Sequence, residues 1–167
     1  MLEIAKEIVA QRIHFHLYVD RWQMEENSEY KDYVDLGRES QYLHFGYSLP
    51  QVELQRTISR LHYGAMLNNK SGSHHELFRE HRIGSEIATY FEAGLPILVS
   101  SHFGEAVRML TELKTAVEIP IDDISRLYQY LRETDYMSLW KNVLRIRESE
   151  FSALERVHTL MDFYRKL

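Results

Sequence analysis

The sequence predicts an all-α domain of about six or seven helices that pack as an irregular bundle. Apolar residues recur three and four positions apart through most of the chain, which is the spacing of one helix face. Glycine and proline are scarce, with 7 and 3 residues, so few turns are expected to interrupt these patterns. No segment shows the alternation of apolar and polar residues that is typical of a half-buried strand.

Length and composition limit the classes of function. A chain of 167 residues corresponds to a single domain, 1–167, that can bury a sizeable core. The net charge of −5 argues against a nucleic-acid partner bound through a broad basic surface. The absence of cysteine excludes disulfides, thiolate metal sites and cysteine nucleophiles. With no apolar run of about 18 residues, we expect no membrane span and a cytoplasmic location.

The apolar spacing divides the chain into helical segments separated by polar, glycine-containing or proline-containing turns. The predicted helices cover residues 2–24, 30–45, 48–68, 73–93, 96–119, 122–131 and 136–167. The fifth has the most regular apolar seam, of a kind that fits a bundle or a dimer interface. That seam consists of Val99, Phe103, Ala106, Leu110, Leu113 and Val117. The last segment, 136–167, is expected to be one long C-terminal helix, which is either a truncated signalling helix or a helix that docks on a partner subunit.

A turn near the middle of the chain carries the strongest local signals. Ser48-Leu49-Pro50-Gln51 has the form of a capping box, in which Ser48 and Gln51 bond reciprocally to the backbone. Gly46 stands where the preceding helix needs a residue that tolerates the left-handed conformation. These signals predict a helix that ends at Gly46 and another that begins at Ser48.

Three short motifs resemble a known family. Leu36-Gly37-Arg38-Glu39, then Gly46-Tyr47-Ser48-Leu49 before a helix, and Tyr90-Phe91-Glu92-Ala93 further on are its features in this chain. The pattern, over about residues 8 to 115, resembles the N-terminal domain of RsbRD-type proteins, the RsbT co-antagonists of the bacterial stressosome. The resemblance implies a globin-like, all-helical sensory domain without haem. It further implies a homodimer that acts through contact with a signalling protein.

Aromatic residues cluster around the central turn. Tyr42, Phe45, Tyr47 and Tyr63, with His62 beside them, are candidates to line a small-molecule pocket between helices. The alternative is ordinary core packing, with the tyrosine hydroxyls reaching the surface.

Nine histidines raise the question of a metal or haem site. His74, His75 and His81 superficially resemble the histidine-rich signature of hemerythrin-like proteins, and His14, His16, His44, His62, His102 and His158 are further candidate ligands on other helices. A haem needs only one axial histidine, for which His102 and His62 are the candidates. The alternative is that the 74–81 group is an exposed helix start and the other histidines are core or surface residues.

Catalysis has little support in the sequence. The chain contains no Gly-x-Ser-x-Gly elbow, no P-loop and no dinucleotide-binding fingerprint. Ser100, Ser101 and His102 are adjacent, but neighbours on the predicted helix do not face one another. We therefore expect a non-enzymatic protein with no cofactor: a bacterial signalling domain that acts by dimerisation and protein contact, with or without a small ligand. The alternatives are a metal- or haem-binding helical protein handling oxygen or redox chemistry, and a helical adaptor without a ligand.

Overall fold

The fold contains both helices and strands. The structure, a computed structural model, describes residues 2–24, 30–68, 84–149, 157 and 161–165. In chain order its elements are α1 (Leu2–Ala10), β1 (Phe15–Val19), a 3₁₀ turn (Arg21–Met24), α2 (Lys31–Glu39), β2 (Leu43–Tyr47), α3 (Gln51–Ile58), β3 (Gly64–Met66), α4 (Glu86–Glu92), β4 (Ile97–Ser100), α5 (Gly104–Glu112), β5 (Ala116–Ile119), a 3₁₀ turn (Ile121–Arg126), α6 (Leu127–Glu133) and α7 (Tyr136–Ser149). Residues 161–165 are also helical.

The strands form two parallel sheets, so the predicted all-α fold, globin-like or bundle, is wrong. β1 pairs with β2, with His16 opposite His44. β3, β4 and β5 form a second sheet in that order, with Val99 of β4 between Met66 of β3 and Glu118 of β5. Helices connect the parallel strands, as parallel pairing requires. The two sheets are not hydrogen-bonded to each other in the described part of the chain.

One face of the three-stranded sheet is covered by α4, α5 and α7. Ile97 and Val99 of β4 pack there with Phe91 of α4, Leu110 of α5 and Ile146 of α7. All five side chains have a relative exposure of 0%. This cluster is the largest buried apolar core among the described residues, and burying side chains of this size supplies much of the folding free energy.

The opposite face is covered by α1, α6 and the 3₁₀ turn before α6. Leu98 of β4 and Ile119 of β5 pack there against Ile4 and Ile8 of α1 and Leu127 of α6. Successive residues of β4 therefore point to opposite cores, as the pleat requires. The result is a three-layer α/β/α arrangement.

The two sheets lie side by side, because the same layers extend over both. Phe15 of β1 packs into the core on the α1 side, whereas Tyr18 of β1 packs with Ile58 and Leu95 on the α4 side. β1 rather than β2 faces the second sheet. The strand order across the molecule is thus β2, β1, β3, β4, β5, and the direction of winding reverses between β1 and β3.

Each of the first three predicted helices is in fact a helix followed by a strand. The first ends at Ala10 and is followed by β1, and the second ends at Glu39 and is followed by β2. The third ends at Ile58, and Gly64–Met66 is strand β3. Apolar residues stand at alternate positions in β1 and β2, but each strand is only five residues long. Runs this short also fit the helical spacing of the segments around them, so they are ambiguous between strand and helix.

The fifth predicted helix divides in the same way. Its regular seam spans β4, α5 and β5. Four of its residues are buried in one core and Leu113 packs against that core, because β4 and α5 are adjacent in space. Val117 belongs to the core on the other face. Two predicted boundaries are confirmed: Gly94, with φ of +77°, follows α4, and the last helix begins at Tyr136.

The predicted capping box is wrong. The N-cap of α3 is Pro50, and no side chain caps this helix. The Ser48 N–H donates to the Val19 carbonyl at 2.8 Å, which extends the β1–β2 ladder. Gly46 is a residue of β2 rather than a helix terminus, and the ring of Tyr18 lies directly over it.

Helix α7 occupies the start of the predicted C-terminal helix. Its Val143 and Ile146 are buried against α4 and α5. Most of 150–167 lies outside the described residues, as does the polar segment 69–73. No helix within the described ranges is long and apolar enough to cross a membrane.

Candidate ligand-binding site

A cavity of about 860 Å³ lies between β1 and β3. Residues 15–18 of β1 and residues 64 and 65 of β3 line it from opposite sides. Its volume falls within the range of about 300–1,000 Å³ that is usual for small-molecule sites. His14 reaches it from the segment before β1, and Arg60 and His62 from the segment before β3, so its polar part lies toward the amino-terminal ends of these strands.

The backbone edges of β1 and β3 that face the cavity are not paired with each other. The Phe15 N–H bonds to Tyr42 of the β2 side, and the Gly64 N–H bonds to Pro96 of the β4 side. In a parallel ladder, alternate residues of a strand bond to the same neighbour. The backbone groups of His16, Tyr18 and Ala65 therefore point toward the cavity.

The lining is mainly apolar and aromatic, with a smaller polar part. The aliphatic side chains are Ile8, Ile13, Leu17, Leu54, Ile58, Leu61, Ala65, Leu67, Leu95, Leu98, Leu127 and Leu131, and the aromatic ones are Phe15, Tyr18, Tyr63 and Tyr90. The polar side chains are His14, His16, Arg60, His62, Ser85, Glu86 and Thr89. An apolar lining with a few polar groups is typical of sites for organic ligands.

Two phenols at the cavity stay protonated. Tyr90 donates its hydroxyl to the Ala65 carbonyl at 3.3 Å, in place of a neighbouring strand. Burial raises the pKa of Tyr90. Burial, with a smaller effect of Tyr136, raises the pKa of Tyr63 to about 12. Both hydroxyls are therefore hydrogen-bonding groups rather than charges at neutral pH.

Three histidines meet beside the cavity. Nδ1 of His14 lies 2.7 Å from Nε2 of His44, and the rings of His16 and His44 stack with centroids 4.4 Å apart. His14 directly precedes β1, two residues before His16, and His44 is the register partner of His16, so the three rings lie on one side of this sheet. Burial, then His44 and His14, lower the pKa of His16. A short N–H···N contact between imidazoles needs a proton on one nitrogen and a lone pair on the other.

The five predicted ligand residues do not come together. His62 and Tyr63 line the cavity, and both rings approach that of Tyr136, at 5.8 and 5.3 Å. Tyr42 lies 5.1 Å from the ring of His14. Phe45 packs over Gly37 of α2, and Tyr47 lies beneath the guanidinium of Arg21, at 4.9 Å, at the end of β2. Tyr42, Phe45 and Tyr47 are not among the lining residues.

The metal and haem candidates are placed only in part. His74, His75 and His81 lie outside the described residues. Among the residues that are described, no group of three or more histidines and carboxylates is arranged to hold a metal ion. His102 follows strand β4, half-buried, with its ring 4.7 Å from that of Phe103. It does not line the cavity.

Comparisons with protein-family models, with curated proteins and with solved structures find no match to this chain.

Sequence reasoning missed Tyr18 and Tyr90 as lining residues. Both lie on elements whose position depends on strands that were interpreted as helix. The signal that marks them is their pairing with glycines: a Cβ at Gly46 would meet the ring of Tyr18, and one at Gly64 would meet the ring of Tyr90. The two members of each pair are far apart in sequence, so the pairing is visible only in the tertiary structure.

Proposed function

We propose that this chain is a ligand-binding regulatory domain, in which a small organic molecule occupies the cavity between β1 and β3. The observation that carries the proposal is the position of this cavity. It lies between β1 and β3, two parallel strands that do not pair with each other, so the crevice is part of the fold rather than of a loop. Fold alone does not define function, so the argument depends on the cavity lining as well.

The lining favours a ligand with an apolar body. Aliphatic side chains from α1, α3, β4 and α6 surround the space, and two neutral phenols border it. Burial of apolar ligand surface supplies the affinity at about 25 cal/mol per Å², and the few polar groups orient the molecule.

A regulatory role extends this proposal. Ligand binding fills the space between the two sheets, and α3 and α4, which pack against each other, both line it. α4 in turn contacts α7, so occupancy of the cavity has a contiguous route to the C-terminal part of the chain. Phe163 and Tyr164 in that part are 57% and 65% exposed, which suits contact with a second copy or a signalling protein.

The ligand is tested with a matched pair of cavity variants. Leu54 lines the cavity, whereas Val52 on the same helix is 66% exposed and does not. A panel of neutral, anionic and cationic small molecules is first screened by thermal shift. We expect any hit to lose binding to Leu54→Trp, which fills the space, and to keep it with Val52→Trp. A hit that binds both variants equally lies elsewhere and contradicts the proposal.

Dimerisation is tested separately by analytical ultracentrifugation, with and without the hit. A dimer that weakens in the Phe163→Ser variant supports the partner role of this segment. A monomer at high concentration in both states contradicts it.

A further inference from the structure

The charged and titratable side chains around the cavity are unevenly distributed in sign. His14, His16, Arg60 and His62 contribute cationic or proton-accepting groups to the lining, and among the described lining residues Glu86 is the carboxylate. An occupant with a negative group is electrostatically matched to such a lining, and a positive one is not.

The histidine cluster gives this asymmetry a specific site. His14 and His16 line the cavity, while His44 stands behind them, in contact with both. Stacked imidazoles 4.4 and 5.0 Å apart cannot all carry a charge cheaply, since like charges repel at this distance. A nearby anion would offset the repulsion that opposes adding a proton to the cluster.

The surrounding elements bring further titratable and charged groups to the cluster and to the cavity. Tyr42 approaches His14 from the turn before β2, and Tyr18 follows His16 on β1. Arg60 and His62 line the cavity from the segment before β3, and Tyr90 and Glu86 line it from α4. Burial, His44 and His14 lower the pKa of His16, and in the described part of the chain no carboxylate is among the causes that act on it.

We propose that the ligand of the cavity is an organic anion, an apolar body with a carboxylate or phosphate group that lies against His14, His16 and Arg60. Its binding draws one proton from solvent onto the histidine cluster. This inference rests on the proposed ligand-binding function and names the class of ligand. The proton balances the charge of the bound anion, so affinity rises as the pH falls.

Three probes with the same alkyl chain test the proposal on the full chain. Octanoate and octyl phosphate carry the two kinds of acidic group, and octanol is their neutral counterpart. Isothermal titration calorimetry gives the affinity of octanoate and octanol at about pH 8 and about pH 6, across the range in which histidine titrates. For octanoate we expect a gain that approaches about tenfold per pH unit, the limit for uptake of one proton. We expect no change for octanol.

Calorimetry in two buffers of different ionisation enthalpy counts the protons directly. We expect close to one proton per octanoate in the native chain and close to none in the His16→Gln/His44→Gln double variant. Arg60→Ala should weaken octanoate binding at both pH values, whereas Arg56→Ala, on the exposed side of α3, should not. The ratio of octanoate to octyl phosphate affinity then assigns the acidic group.

The outcomes separate this inference from the function on which it rests. If octanol binds as tightly as octanoate, or if octanoate binds without proton uptake, the anion proposal is overturned. Loss of that octanol binding in Leu54→Trp would still support a ligand-binding cavity. If none of the three probes binds, the anion proposal is likewise overturned. The thermal-shift screen of the small-molecule panel then tests independently whether the cavity binds a ligand.

Discussion

Individual residues in this chain are defined by contacts that are distant in sequence. Tyr18 packs on Gly46, and Tyr90 packs on Gly64, so two glycines provide space for rings rather than a turn. His14, His16 and His44 come together because β1 and β2 are paired in parallel. None of these contacts follows from the spacing of neighbouring residues. The sequence therefore predicts one pocket from aromatic residues that the fold separates.

Replacement of Gly64 by alanine should destabilise the protein. The added Cβ would meet the Tyr90 ring, which is held by its bond to Ala65, and overpacking of this kind costs about 1–3 kcal/mol. Urea denaturation measures the loss. In a Tyr90→Leu background the same change should cost less, because the ring is absent. Equal costs in both backgrounds would show that the close approach has no energetic consequence.

Stability should fall on acidification because of His16. Its pKa in the folded protein is below the ordinary value of 6.5, so the unfolded chain binds more protons in that region. By linkage, the free energy of unfolding is therefore highest above pH 6.5 and falls as the pH drops toward the folded-state pKa.

Urea denaturation across this pH range measures the effect. The free energy of unfolding should change less with pH in His16→Gln. His62→Gln removes an exposed imidazole outside the cluster and should retain more of the pH dependence. A slope unchanged in His16→Gln would refute the assignment.

At the scale of elements, strands are the main correction. The run Ile97–Ser100 is the central strand of its sheet, and it is buried along its whole length because helices cover both faces. Continuous burial removes the alternation by which a strand is recognised. One helix end, which depends only on neighbouring residues, is predicted correctly. Gly94 ends α4 in a left-handed conformation, as its place before Leu95-Pro96 indicated.

Ser100 should be the polar residue on which the end of this sheet depends. Its hydroxyl is fully buried and accepts a hydrogen bond from the Asn68 N–H at 3.1 Å, which joins the ends of β3 and β4. Ser100→Ala removes the acceptor and should cost about 1–3 kcal/mol in urea denaturation.

The neighbouring Ser101→Ala serves as the matched control, because that side chain is partly exposed, and should stay within about 0.5 kcal/mol. Similar values for the two variants would mean that the buried hydroxyl has no special role.

At the scale of the molecule, the cavity lies between the two parallel sheets. The core on each face nevertheless extends over both parts, with Phe15 joining one layer and Tyr18 the other. The backbone groups that face the space, at His16, Tyr18 and Ala65, lack a strand partner across it. This combination makes the space between β1 and β3 the natural place for a ligand to change the molecule.

Amide hydrogen exchange should reveal this division. We expect the amides of His16, Tyr18 and Ala65 to exchange faster than those of β4, which bond to strands on both sides. A ligand bound in the cavity should slow exchange at these three amides most. Exchange measured by NMR with and without the ligand tests this, and the helix α5, which does not line the cavity, is the internal reference. Equal protection of β1, β3 and β4 without ligand would contradict the division.

The sequence by itself determined that the chain has the length of one domain and no cysteine chemistry. It also located several helix segments and the ends of predicted helices at Gly94 and Pro120. These depend on local propensity, backbone conformation and composition, which act within a few residues. Only the tertiary structure decided that the apolar runs are parallel strands, that β1 faces β3, and that three histidines and two tyrosine–glycine pairs meet. Parallel strands pair across whole helical connections, β1 and β2 are only five residues long, and β4 is buried on both faces. No motif therefore marks the pairing, and the site that it creates follows from the fold.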